Sequence, residues 1–223
     1  NVGYHVYKIR TKITEEGSIK DRLVSLIENE THVREVTPFE AYVLVLRTYL
    51  DSLKEKEISP SLYALLEKNG YIPYKYQLDA VGQAKAILDE HSGVIIADVV
   101  GLGKSIIASM LARELGQRGV IVCPPGLVGD KKKQSGWTKY AEEFGLHNWE
   151  VWSCGNLEAL FEFVNKASNI DVIIVDEAHR FRNEDTQDYE YLKNICRNKK
   201  VILLTATPFN NTPHDILSLL ELF

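Results

Sequence analysis

Gly93-Val-Ile-Ile-Ala-Asp-Val-Val-Gly-Leu-Gly-Lys-Ser105 is a short apolar run that passes into a glycine-bracketed turn and then a lysine. The run predicts a strand over 93–97, and the residues from Lys104 to about Gly116 predict a helix. Between the two lies the composition of a phosphate-binding loop. Gly101 and Gly103, with Leu102 between them, let the backbone turn tightly and bring N–H groups to phosphate oxygens, and the helix N-terminus adds partial positive charge. Lys104 is placed to reach β and γ phosphates, and Ser105 to ligate magnesium. The position five before Gly103, a glycine in most such loops, is Asp98 here.

Outward from this loop, apolar runs rich in Val and Ile alternate with amphipathic stretches. Strands are predicted at Val120 to Cys123, Trp149 to Ser153, Asp171 to Val175 and Lys200 to Thr205. Helices are predicted at Ser135 to Phe144, Asn156 to Ala167 and Asp188 to Arg197. Strand, helix and strand in this order are βαβ units, so the expected fold is α/β, with a central, mainly parallel sheet flanked by helices.

Upstream the pattern differs. Val2 to Ile13 alternates like one strand, and helices follow from Ser18 and from the capping box Thr37-Pro-Phe-Glu40. Ser59-Pro60 opens a short helix that stops at Asn69-Gly70. The expected division is a small, mostly helical accessory segment over 1–70 and an α/β domain over 71–223. A chain of 223 residues accommodates little more. It starts at Asn1 and stops at Phe223 in what reads as the opening of a helix, which is the expectation for a piece of a longer protein.

Three further elements carry chemistry. The run ending at Val175 is followed by Asp176-Glu177-Ala178-His179, which puts two carboxylates at the carboxyl edge of the sheet, beside the phosphate loop. Asp176 suits a hydrated magnesium ion, and Glu177 is placed to orient or deprotonate the water that attacks a γ phosphate. Leu204-Thr-Ala-Thr-Pro208 ends the last strand in small hydroxyl residues, where Thr205 and Thr207 either sense nucleotide state or make turn hydrogen bonds. Pro73-Tyr-Lys-Tyr-Gln77 opens the helix before the first strand. Gln77 can read an adenine edge while Tyr76 stacks on the base; alternatively the pair is core tyrosine and surface glutamine.

The net charge of −5 argues against wholesale coating of nucleic acid, so any such contact must be local. Cys123, Cys154 and Cys196 have neither metal-type nor disulfide-framework spacing and read as free thiols. No apolar run approaches the ~18 residues of a membrane span, and no leader is evident at the start, so a cytoplasmic location without membrane contact is expected.

Taken in order, the Gln77 element, Gly101-Leu-Gly-Lys-Ser105, Val120-Ile-Val-Cys-Pro124, Asp176-Glu-Ala-His179 and Leu204-Thr-Ala-Thr-Pro208 resemble the first RecA-like lobe of superfamily 2 helicases. Among these, the DEAH box Asp176-Glu-Ala-His-Arg180 and Leu204-Thr-Ala-Thr-Pro-Phe-Asn-Asn211 are most similar to the Swi/Snf-type branch, which includes bacterial RapA-like remodellers. The resemblance covers about Tyr71 to Phe223. It implies ATP and Mg2+ as cofactors, with Tyr76, Gln77, Gly101, Leu102, Gly103, Lys104, Ser105 and His179 around the nucleotide. Lys104, Asp176 and Glu177 would be catalytic, Ser105 and Asp176 would hold Mg2+, and His179 would couple the site to Thr205 and Thr207.

The implied partners are nucleic acid, DNA in preference to RNA, and a second RecA-like lobe whose arginines complete the site. Nucleic acid would meet the loops after the Val120 strand and near Thr205. Lys131-Lys-Lys133 is either a phosphate contact there or a solvated face. Trp137 matches a branch-specific helix and reads as a core anchor. Another P-loop ATPase or a nucleotide-binding scaffold are the competing functions; the first lacks a visible sensor arginine, and intact Lys104, Asp176 and Glu177 weigh against the second.

Overall fold

The computed structural model describes residues 43, 58–97, 101–130, 132–167, 169–206 and 214–223. The strand and helices expected before Ile58, the residues 98–100 of the phosphate loop, Lys131 and Thr207 lie outside these described residues.

Five short strands form one parallel sheet: β1 (Gly93–Ala97), β2 (Gly119–Cys123), β3 (Glu150–Ser153), β4 (Val172–Val175) and β5 (Lys200–Thr205), in the order β1-β5-β4-β2-β3. Every pairing is parallel, so the expected mainly parallel sheet is wholly so. The helices are α1 (Pro60–Lys68), α2 (Lys75–Glu90), α3 (Lys104–Leu115), α4 (Pro125–Val128), α5 (Gly136–Glu143), α6 (Leu157–Lys166), α7 (Gln187–Cys196) and α8 (His214–Leu220). The strands expected at 120, 149 and 171 begin one residue away from their observed starts, which is the ordinary fraying of element ends.

Side-chain alternation sorts the strands into two cores. Ile121, Cys123, Val172, Ile174, Ile202 and Leu204 face a cluster built with α1, α2, α3 and α5. Val120, Val122, Ile173, Val175, Val201 and Leu203 face the other, built with α6, α7 and α8. A period of two with apolar residues at both phases is what a sheet covered on both faces requires. That is why these strands read as continuous apolar runs.

The division expected at residue 70 is placed differently by the packing. The compact unit holding the sheet runs Leu53–Phe223 and takes in α1. Leu62 and Leu66 of α1 are fully buried in the first core. The Ser59 hydroxyl, at the N-cap of α1, hydrogen bonds to Glu114 of α3. Asn69 Nδ2 donates to the Glu143 carbonyl at 2.7 Å, and the Tyr71 hydroxyl donates to the Glu143 carboxylate. Proline and Asn-Gly mark where a helix starts and stops but carry no information about which core its apolar face joins. No helix among the described residues is long and apolar enough to cross a membrane.

Two outcomes follow from this packing. Leu62→Ala removes a fully buried side chain from the main core and should lower the unfolding free energy by roughly 2–5 kcal/mol, seen as an earlier denaturant midpoint at unchanged slope. An effect within ~0.5 kcal/mol would place α1 outside the cooperative unit. Burial pushes the thiols of Cys123 and Cys196 up to about 12, with the Asp176 carboxylate and Cys154 also raising Cys123 and Lys199 opposing the rise at Cys196. A raised folded value keeps both thiols neutral, so their contribution to stability is intact below the ordinary thiol range and lost as pH rises from about 9 toward 12. Alkylation of the native protein at pH 8 should therefore label Cys154 first, with Cys123 and Cys196 reacting only on unfolding.

Candidate nucleotide-binding site

A parallel sheet sends the chain out of all its strands at the same edge, and the predicted site residues sit on that edge. The phosphate loop follows β1, Asp176 follows β4, and Thr205 closes β5, paired with Ala97 of β1. Thr205 is fully buried.

Gly101 and Gly103 both adopt left-handed backbone, with φ of 96° and 81°. At Gly103 the demand is steric as well, since a Cβ would stand 2.6 Å from Gln77 Nε2. Gly103 is the N-cap of α3, so the first turn of that helix opens directly off the loop, with Lys104 and Ser105 its first two residues, both partly exposed. The Ser105 carbonyl is held within the helix by the Ser109 hydroxyl at 2.7 Å.

Gln77 and Tyr76 at the start of α2 brace the same loop. The Gln77 Nε2 group donates to the Leu102 carbonyl at 3.1 Å and to the Tyr76 hydroxyl oxygen at 3.2 Å, and the Tyr76 hydroxyl also donates to Leu102 O at 3.2 Å. Both amide protons of Gln77 are thereby occupied, and the side chain is 6% exposed. Its Oε1 is the atom left to accept from a base. Tyr74 and Tyr76 are exposed, with ring centroids 5.8 Å apart.

Asp176 is 6% exposed. Burial raises its carboxyl above the usual carboxylate range, and the neighbouring Glu177 charge adds to the rise. Three groups oppose it: the Trp137 indole, the Glu177 backbone N–H and the Lys104 ammonium, whose charge reaches the carboxylate across the sheet edge. Trp137 Nε1 donates to Asp176 Oδ2 at 2.8 Å, and Glu177 N donates to Oδ1 at 2.9 Å. Glu177 itself is left-handed, with φ of 53°, a strained setting for a residue other than glycine. His179 Nδ1 stands 3.1 Å from Glu177 Oε2 but off the line a hydrogen bond needs, so the approach is electrostatic and strengthens only when the imidazole is protonated.

The structure therefore gathers Gln77, Tyr76, Gly101 to Ser105, Asp176, Glu177 and His179 at one sheet edge. Arg182 turns back, donating from Nε to the His179 carbonyl at 2.6 Å, while Arg180, Lys132 and Lys133 are exposed. The residue that the sequence reading undervalued is Trp137. It is a core anchor, 1% exposed, but its N–H is spent on the acidic pair. A buried indole must find an acceptor for its one proton, and that rule was the available signal.

Among the described residues no three His, Cys, Asp or Glu side chains are grouped to hold a metal ion. A single carboxylate with a neighbouring hydroxyl is nonetheless a fitting donor set for Mg2+, which keeps several waters and takes its other ligands from phosphate.

Comparison with known proteins agrees with this architecture. The profile of the SNF2-related domain matches residues 156–223. The chain is 29% identical over 184 residues to an uncharacterized ATP-dependent helicase, YqhH, of Bacillus subtilis, covering 72% of this chain and 31% of that protein. It is 29% identical over 211 residues to chromodomain-helicase-DNA-binding protein 8 of Xenopus tropicalis, covering 79% of this chain and 9% of that one. It thus spans about a third or less of these relatives. The SWI2/SNF2 ATPase core of Sulfolobus solfataricus, solved in complex with dsDNA, superposes with a TM-score of 0.56 at 18% identity, over 67% of this chain and 35% of that one. The five-stranded, all-parallel sheet flanked by helices thus matches the RecA-like fold of that core, and the similarity to the SNF2-related domain lies in residues 156–223.

Proposed function

We propose that this chain is the first motor lobe of an ATP-dependent DNA helicase or translocase, and that it binds Mg-ATP at the carboxyl edge of its sheet. The observation that carries the reading is that Lys104, opening the helix after β1, and Asp176, following β4, lie at the same carboxyl edge of the parallel sheet. They are 72 positions apart in sequence, and two glycines with left-handed backbone lead into Lys104. A cation at a helix N-terminus and a buried acid on one sheet edge suit a triphosphate and its metal.

In this reading Gly101, Leu102 and Gly103 present N–H groups to the phosphates, and Lys104 neutralises the β and γ oxygens. Ser105 and Asp176 would hold Mg2+, which when bound draws charge from the phosphate oxygens and aligns them. Glu177 takes a proton from the attacking water. Gln77 Oε1 accepts from the base, with Tyr76 beside it, and His179 relays the state of Glu177 toward Thr205 and Thr207. The residues before α1 are an accessory element, and α1 is part of the lobe.

Two lobes are needed for turnover in this reading because further positive charge must arrive on the γ phosphate. An arginine supplied there is worth on the order of 10³ to 10⁵ in rate. That this chain covers 31% of the B. subtilis helicase supports a second lobe elsewhere in such proteins. DNA is favoured over RNA because the Xenopus relative is named for DNA binding and the Sulfolobus core was solved on dsDNA.

Substitution separates binding from hydrolysis. In the full-length protein, Lys104→Ala should weaken Mg-ATP binding at least about tenfold by calorimetry, since it removes a direct charge on the phosphates. Glu177→Gln should leave binding within about twofold and cut hydrolysis by roughly 10²–10⁴. Equal affinity in Lys104→Ala would rule the site out. The 223-residue chain by itself should hydrolyse ATP about 10³–10⁵ times more slowly than an intact motor, and a rate on the order of 1 per second would remove the need for a second lobe.

A further inference from the structure

Trp137 joins two regions that the sequence keeps apart. Its indole N–H fixes Oδ2 of Asp176 while the Glu177 N–H fixes Oδ1, so the plane of the carboxylate is set by two donors and each oxygen keeps a lone pair for another partner. The ring is 1% exposed and wedged edge-on against Tyr140, with centroids 5.9 Å apart at 73°, so it cannot swing to another acceptor.

Trp137 is also the second residue of α5, and α5 is tied to the loop before it. Gly129 and Gly136 cross in close approach: a Cβ on Gly136 would stand 2.5 Å from the Leu127 carbonyl oxygen and 2.7 Å from the Gly129 backbone. Both have positive φ, 86° and 61°. Within the loop, Asp130 N donates to the Ser135 hydroxyl at 3.2 Å, Lys132 N donates to Asp130 Oδ1 at 2.8 Å, and the Thr138 hydroxyl donates to the Ser135 carbonyl at 2.9 Å. The result is a closed loop with Lys132 and Lys133 exposed at its tip, joined through a glycine crossing to the tryptophan that holds the metal carboxylate.

We propose that Trp137 is a positioning residue for Asp176 and that it couples the lysine-bearing loop 129–136 to the Mg-ATP site. The inference rests on the nucleotide-site reading above. A polyanion drawn to Lys132 and Lys133 displaces the loop, the crossing at Gly136 passes that displacement to α5, and the indole resets the carboxylate. By linkage, the metal at Asp176 biases the loop to the same extent.

The test uses the full-length protein and a fluorescent, non-hydrolysed ATP analogue titrated with and without magnesium. The ratio of the two affinities reports the metal at Asp176. At position 137 the tryptophan is replaced by its benzothienyl analogue, in which sulfur takes the place of the indole N–H at almost unchanged volume; Trp137→Phe serves as a second variant. The magnesium-dependent gain in affinity should fall about 10- to 100-fold, the usual effect of removing a group that orients a metal ligand. Metal-free affinity of the analogue should match the unsubstituted protein, which a purely structural role would not predict. Gly136→Ala should lower the gain in the same direction.

A wild-type gain in the benzothienyl protein overturns the positioning role, and a wild-type gain in Gly136→Ala overturns the coupling to the loop. Asp176→Asn separates the two levels. If it abolishes the gain while the position-137 variants do not, only the inference fails. If it too keeps the gain, the metal reading of Asp176 fails and the inference falls with it.

Discussion

The buried carboxylate of Asp176 is the constraint around which the rest of this edge is arranged. An acid that is 6% exposed, next to a second acid, is unfavourable as an anion unless other groups supply charge or hydrogen bonds. The fold supplies an indole proton, a backbone N–H and a lysine, and each comes from a different element. Even so burial dominates, and the carboxyl stays raised.

Parallel topology is what brings those contributors together. The strand order β1-β5-β4-β2-β3 places β5 between the phosphate-loop strand and the acidic strand, so Thr205 lies in register with Ala97 while Leu203 lies in register with Val175. The Asp176 backbone N–H continues the ladder to the Val122 carbonyl at 2.8 Å, which fixes the start of the acidic turn before Glu177 departs into left-handed backbone. The parallel strands thus hold the ends of the loops that carry the candidate site residues.

Much of this was legible in the residues themselves. Apolar runs bounded by glycine and helix caps gave the strands and helices to within a residue or two, because a sheet buried on both faces needs continuous Val and Ile and has no polar phase to obscure the pattern. The glycine loop and acidic pair were readable as types, since their chemistry demands particular atoms. What local sequence does not encode is the partner across the fold. Leu62 and Leu66 read as an amphipathic face without saying which core they join, so the division expected at residue 70 falls before α1 instead. Trp137 read as bulk, because its acceptor lies 39 positions away.

Gln77 shows how such a partner changes the meaning of a residue. Read by itself, its amide offers an acceptor and two donors to a base edge. In the fold both donors are committed to Leu102 O and Tyr76 Oη, and a Cβ at position 103 would stand 2.6 Å from Nε2 and push the amide aside. A base can engage Oε1 without disturbing this brace, but engaging Nε2 would release the Leu102 carbonyl and loosen the phosphate loop. If a base binds there as proposed, the same amide would support the loop and meet the base, and the hydrogen bonds drawn from it would alter the shape offered to the phosphates. In the proposed reading, base recognition and phosphate binding would not be independent, and the brace at Leu102 would be where they meet.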